Sequence, residues 1–110
     1  MKNILFISSA NVDRSKTAEV FYAEQIPSLN FKSAGTNHKL CLNAGSNSFI
    51  QKELDWADLT LVMESKHLNW IQSNLKIRKS IIEVLNIQGI YKYYSRELIE
   101  IFQSVCPRFF

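Results

Sequence analysis

Ile4-Leu5-Phe6-Ile7-Ser8-Ser9-Ala10-Asn11-Val12-Asp13-Arg14-Ser15 is the stretch on which the fold is read. Its first four residues form a continuous apolar run, as in a parallel strand buried on both faces. Ser8 to Asp13 is small and polar and reads as a loop. From Arg14 the apolar positions take a helical period: Ala18, Phe21, Tyr22 and Ile26 share one face, and Pro27 closes the segment. A buried strand therefore runs through a short loop into a helix N-terminus.

The same alternation continues outward. Phe31 to Ala34 reads as a second short strand ending at Gly35, and Thr36 to Ser48 as a long polar connection. A short helical piece is expected from Phe49 to Trp56, then a third strand over Leu59-Thr60-Leu61-Val62-Met63. A helix with Leu68, Ile71 and Leu75 on one face comes next, and Ile81 to Leu85 makes a fourth strand. After a loop from Asn86 to Tyr94, Leu98, Ile101, Phe102 and Val105 mark a last helix with Ser95 as its N-cap. Strands alternating with helices predict a three-layer α/β fold, a four-stranded parallel sheet with helices on both faces. The length of 110 residues fits one domain spanning 1–110. Ligands of such sheets sit beyond the carboxyl ends of the strands, at a topological switch point. That rule points to Ser8–Ser15.

Composition narrows the classes. A chain that is 46% hydrophobic and 21% charged is globular, and three Gly and two Pro exclude collagen-like or low-complexity sequence. Cys41 and Cys106 are too few for a disulfide framework or a four-thiolate zinc site, so no metal is expected. No apolar run approaches a membrane span, and Met1 to Ile7 is too short for a secretory signal. The expectation is a cytoplasmic protein with reduced thiols. Thirteen Lys+Arg against ten Asp+Glu give a net charge of +3, with one basic cluster at Lys76, Arg78 and Lys79 that reads as a solvated surface. A nucleic-acid-binding module using Tyr91-Lys92-Tyr93-Tyr94 is the alternative of another class, but it lacks a clustered basic face.

The loop itself carries chemistry. Ser8 to Asp13 contains no proline, so its backbone N–H groups can turn inward and form an anion-binding concavity. The helix that follows adds about half a positive charge there. Arg14 supplies a planar fork for two phosphate oxygens.

These residues resemble the opening of the low-molecular-weight protein tyrosine phosphatases, and more closely a short bacterial branch of that family. Ile4 to Ser8, Asn11, Arg14-Ser15 and Ala18-Glu19 carry the likeness, with Ser33-Ala34-Gly35-Thr36, Trp56-Ala57-Asp58, Val62-Met63-Glu64, His67, Tyr91 and Glu97-Leu98 following in order. The resemblance implies that residues Ser8, Ser9, Ala10, Asn11, Val12, Asp13 and Arg14 bind phosphate. It implies Arg14 as the phosphoryl clamp, Ser15 as the hydroxyl facing the nucleophile, and Asn11 as the residue that holds the loop's shape. It also implies no cofactor, and a phosphotyrosine-containing protein as partner.

Two positions depart from the family. Its nucleophile is a cysteine, whereas this chain has Ser8. A thiol in such a loop becomes a thiolate, but a serine hydroxyl stays protonated and needs a general base. Short family members carry an acidic Asp just before the Ile/Val-Tyr pair of the late loop, where this chain has Gly89 before Ile90-Tyr91. Catalytic impairment is the expectation. A cysteine-to-serine substitution made as a trap would account for Ser8 alone; a natural pseudophosphatase accounts for both changes. Tyr91 and Tyr93 are expected to wall the cleft, with His38 bordering it. His67 is expected at the surface or as a helix cap, Trp56 and Trp70 in the core, and Asp13 paired locally or facing solvent.

Overall fold

The computed structural model describes residues 2–48 and 50–110. Four strands, β1 (Asn3–Ser8), β2 (Asn30–Gly35), β3 (Leu59–Val62) and β4 (Ile81–Val84), form one sheet in the order β2-β1-β3-β4. Every neighbouring pair is parallel, with Ser8 opposite Gly35 and Ile7 opposite Val62. Among the described residues, α1 (Arg14–Gln25), α2 (His38–Ala44), α3 (Ile50–Trp56) and α4 (Ser65–Asn74) connect them, and α5 (Arg96–Val105) follows β4. The expected three-layer α/β architecture is observed.

The alternation along β1 produces the layers. Ile4 and Phe6 pack with Phe21 and Tyr22 of α1 and with Leu98 and Phe102 of α5. Leu5 and Ile7 point the other way, onto Ile50 and Leu54 of α3 and Ile71 of α4. All four strand residues have no exposed surface, which is why the run Ile4–Ile7 carries no polar residue. β1 lies between β2 and β3, so the chain leaves it on one side and returns on the other. The switch point is therefore at its carboxyl end, where the loop 9–13 begins.

Three features differ from the sequence reading. The polar stretch Thr36–Ser48 contains α2, which has no apolar stripe because only Cys41 is buried. Its punctuation was nevertheless legible: the Asn37 side chain accepts from the Leu40 N–H (3.1 Å), and Gly45 closes the helix at φ 67°. The helix expected from Phe49 is α3, Ile50–Trp56; Phe49 itself lies outside the described residues. Trp56 and Trp70 are half-buried at the rim of the core, not inside it. Among the described residues no helix is long and apolar enough to cross a membrane.

Candidate phosphate-binding site

The loop after β1 closes around a ring of hydrogen bonds. Asn11 adopts φ 53°, a left-handed conformation that asparagine tolerates better than most residues. This turn brings its backbone N–H to Ser8 Oγ (3.3 Å) and its side-chain oxygen to Ser15 Oγ (2.7 Å). Asn11 Nδ2 meets the Ser33 carbonyl at 3.4 Å, which fixes which amide atom faces Ser15. Ser15 thus gives its proton to Asn11, and Ser8, 2.6 Å from Ser15, gives its own proton to Ser15. The chain ends on a neutral amide oxygen. Nothing in it takes a proton from Ser8, so the hydroxyl is held but not activated.

Arg14 is buried at the first position of α1. Its Nη1 is held by Glu64 and donates to the Ile87 carbonyl at 2.8 Å. The Nε and Nη2 edge makes no hydrogen bond among the described residues and is left for a ligand. Glu64, the N-cap of α4, is kept below the usual carboxylate range by the hydrogen bond from Arg14, against the opposing effect of burial. Asp13 does not cap α1 with its side chain; it is exposed and accepts the Tyr93 N–H at 2.8 Å. Arg14 pairs with Glu64 instead of with Asp13.

Ser8, Ser9, Ala10, Val12, Asp13, Arg14 and Gly89 enclose a cavity of about 180 Å³. Gly89 contributes by lacking a side chain: a Cβ there would lie 3.3 Å from Arg14 Nη2 and 3.4 Å from its Cζ. The late loop thus reaches the cradle at Gly89. Tyr91 and Tyr93 do not line this cavity. Tyr91 packs half-buried against the core beside α5, and Tyr93 is exposed with its ring 5.7 Å from that of Tyr94. Tyr93 N–H donates to Asp13 and Tyr94 N–H to Thr17 Oγ1 (2.7 Å), which ties the late loop to the start of α1. His38 is exposed, lines a neighbouring cavity that shares Ser9 with the cradle, and has its Nδ1 2.9 Å from Ser48 Oγ.

His67 caps α4, one of the two places expected for it, and it does so from inside the molecule: it is 1% exposed, and its Nε2 lies 2.9 Å from Ser9 Oγ. Nδ1 accepts the Glu64 N–H at 3.0 Å, so Nε2 carries the proton and donates it to Ser9. The spacing Glu64-x-x-His67 straight after a strand was the available signal, as a variant of a capping box. Burial, Arg14 and Lys66 push the imidazole down to about 4.

His67 stays neutral in the folded state while the unfolded chain takes up a proton near the ordinary value of about 6.5. The unfolded state therefore binds more protons between about pH 6.5 and 4, and folding stability falls as pH drops through that window. A difference of this size is worth about 3 kcal/mol. Urea unfolding of the parent between pH 7 and 4 is expected to show this fall, and His67→Gln to flatten it. Equal slopes in both proteins would exclude His67 as its source.

Neither the models of protein families nor the curated proteins include a match. Solved structures do. The chain is similar to a low-molecular-weight protein tyrosine phosphatase from T. tengcongensis at 19% identity and a TM-score of 0.69, over 96% of this chain and 95% of that one. It is equally similar to the tyrosine phosphatase Wzb from Escherichia coli K30 in complex with phosphate (19%, TM-score 0.69), over 98% and 95% of the two chains. A serine mutant of the arginine phosphatase YwlE with a phosphorylated active-site serine aligns at 20% and a TM-score of 0.68, over 94% and 90%. The fold is that of the low-molecular-weight protein tyrosine phosphatases. Within this phosphatase fold, the loop after the first strand has Ser8 at its start and Arg14 at its end.

Proposed function

We propose that this protein binds phosphate, or the phosphoryl group of a phosphorylated partner, in the loop Ser8–Ser15, and that it does not turn substrate over by the thiolate chemistry of its fold. One observation carries the reading: the buried Arg14 guanidinium is held at Nη1 by Glu64 and the Ile87 carbonyl, with its Nε–Nη2 edge beside the 180 Å³ cavity. A guanidinium pre-set in this way presents two parallel donors to an oxyanion. The helix N-terminus of α1, uncapped by Asp13, adds to the same field. The phosphorylated serine in the YwlE mutant supports Ser8 as the residue lying against the phosphorus.

Impairment follows from Ser8 and Gly89 together. Ser8 has no base, and Gly89 offers no proton to a leaving group. A pseudophosphatase accounts for both, whereas a trapping substitution accounts for Ser8 only. Phosphotyrosine-containing proteins are the partner class that the fold suggests. The reading takes residues 1–110 as one domain acting in the cytoplasm, where the buried, unpaired Cys41 and Cys106 stay reduced.

Calorimetry with inorganic phosphate at neutral pH tests the reading. Phosphate is expected to bind the Ser8 protein, and Arg14→Lys to bind it at least about tenfold more weakly despite the retained charge, because an ammonium cannot make the paired contact. Circular dichroism of the variant should be unchanged. No heat of binding, or a lysine variant that binds phosphate equally well, would remove the cradle assignment.

A further inference from the structure

A groove of about 530 Å³ adjoins the cradle and shares Ser9 with it. Its other lining residues come from two segments: Thr36, Asn37 and His38 follow β2, and Lys66 and Trp70 belong to α4. Both segments are tied to the phosphate loop. Thr36 N–H donates to the Ser8 carbonyl and Asn37 N–H to the Ser9 carbonyl, each at 3.0 Å. From α4, His67 Nε2 donates to Ser9 Oγ at 2.9 Å. The groove is therefore set relative to the cradle before a ligand arrives.

Trp70 is the one large apolar side chain that lines it. The indole is half-buried: it packs against the core cluster that contains Ile71 and Leu54, and it also faces the groove. It follows His67 by three residues, roughly 4.5 Å along the helix axis, so it stands one turn beyond the contact with Ser9. Lys66, the other α4 residue of the groove, has its Nζ 3.7 Å from Glu64 Oε1, which draws its charge toward the carboxylate that holds Arg14. Asn37 and His38 are exposed and Thr36 is half-buried, so their polar groups keep water when a ring covers the indole. The late loop offers no such surface. It gives the cradle Gly89, while Tyr91 packs against the core and Tyr93 lines neither the cradle nor the groove.

Resting on the phosphate reading above, we infer that the phenyl ring of a phosphotyrosine lies in this groove against the Trp70 indole, and that Trp70 is the residue that favours an aryl phosphomonoester over phosphate alone. Aromatic pairs gain from offset-stacked or edge-to-face contact beyond the area they bury. The ring wall expected on the late loop is thus supplied from α4.

Calorimetry with inorganic phosphate and with phosphotyrosine tests this. Phosphotyrosine is expected to bind the parent about tenfold more tightly than phosphate, and Trp70→Ala to remove most of that preference while leaving phosphate affinity as it was. Trp70→Phe keeps a ring face and should retain most of the preference; Tyr93→Ala should retain all of it. Trp56→Phe leaves Trp70 as the sole indole, whose emission should respond to phosphotyrosine and not to phosphate. If phosphate itself does not bind, the cradle reading fails and this inference with it. If phosphate binds and phosphotyrosine is no tighter, or Trp70→Ala weakens both ligands alike, the cradle stands and the inference is wrong. A preference lost in Tyr93→Ala and kept in Trp70→Ala would put the ring on the late loop and overturn it. Should Trp70→Ala fail to fold, the emission of Trp70 decides, and an indole silent to phosphotyrosine refutes the contact.

Discussion

Phosphate release by the Ser8 protein is expected to stay at background on both p-nitrophenyl phosphate and phosphotyrosine, and to return in two separable steps. Ser8→Cys alone should restore attack on p-nitrophenyl phosphate. A thiol in this loop, facing the Asn11 N–H and the N-terminus of α1, ionises far more readily than a hydroxyl. A good leaving group departs with little protonation. Phosphotyrosine has a leaving group with a pKa near 10 and should remain slow.

Adding Gly89→Asp should then raise the phosphotyrosine rate by roughly 10²–10⁴, the usual worth of a placed acid. A Cβ at Gly89 falls 3.3 Å from Arg14 Nη2, so the new carboxylate starts as a partner of the guanidinium, which would hold its pKa down and make it a poor acid. Bound phosphoryl oxygens reverse this. They compete for the same Nε–Nη2 edge and set like charges beside the carboxylate, worth roughly 4 kcal/mol at about 4 Å and an effective dielectric of about 20. The acid is thus made in the complex and not in the free protein. Gly89→Asp without the cysteine should gain nothing, because residues acting as one catalytic unit are not additive. Four proteins on two substrates suffice: substantial turnover by the Ser8 protein would refute the inactive reading, and a double variant no faster than Ser8→Cys would refute Gly89 as the acid position.

What the sequence conveyed about this site follows the range of the interactions. The strand, loop and helix from Ile4 to Gln25 are local, and the apolar run followed by a helical period specified them. Asn11 and Ser15 meet Ser8 within the same short segment, so the resemblance brought them together correctly. Contacts made across the sheet were not legible. Glu64 and Ile87 reach Arg14 from the segments that follow β3 and β4, and only the strand order brings those segments to the carboxyl end of the sheet near Arg14. The cap at His67 was legible in Glu64-x-x-His67, but its contact with Ser9 was not, since nothing local says that α4 delivers its first turn to Ser9. The placement of Tyr93 and Tyr94 depends on their backbone N–H groups being held far away in sequence, on Asp13 and Thr17.

The most damaging small substitution is expected outside the loop, at Gly35. This residue ends β2 directly opposite Ser8, and the chain leaves it under the phosphate loop. A Cβ on Gly35 would lie 2.4 Å from Cys41 Sγ, 2.5 Å from the Ser9 carbonyl oxygen and 3.1 Å from the Ala10 carbonyl carbon. The first clash is with a side chain; the other two are with the backbone that forms the cradle. Overpacking of this kind costs about 1–3 kcal/mol, sometimes more, and here the relief must come from moving residues 9 and 10. Displacing the Ser9 carbonyl breaks its bond from Asn37 N–H and shifts the Asn11 turn that holds Ser8. Gly35→Ala should therefore lower the unfolding midpoint and also reduce phosphate affinity at least about tenfold, as expected when an oxyanion loses one positioned donor. Cys41→Ala supplies the discriminating test, because it deletes the sulfur and leaves the backbone contact. The double variant Gly35→Ala/Cys41→Ala is expected to regain little phosphate binding. Full recovery in the double variant would mean that the sulfur alone was in the way and that the loop rests on Gly35 less closely than a 2.5 Å contact requires.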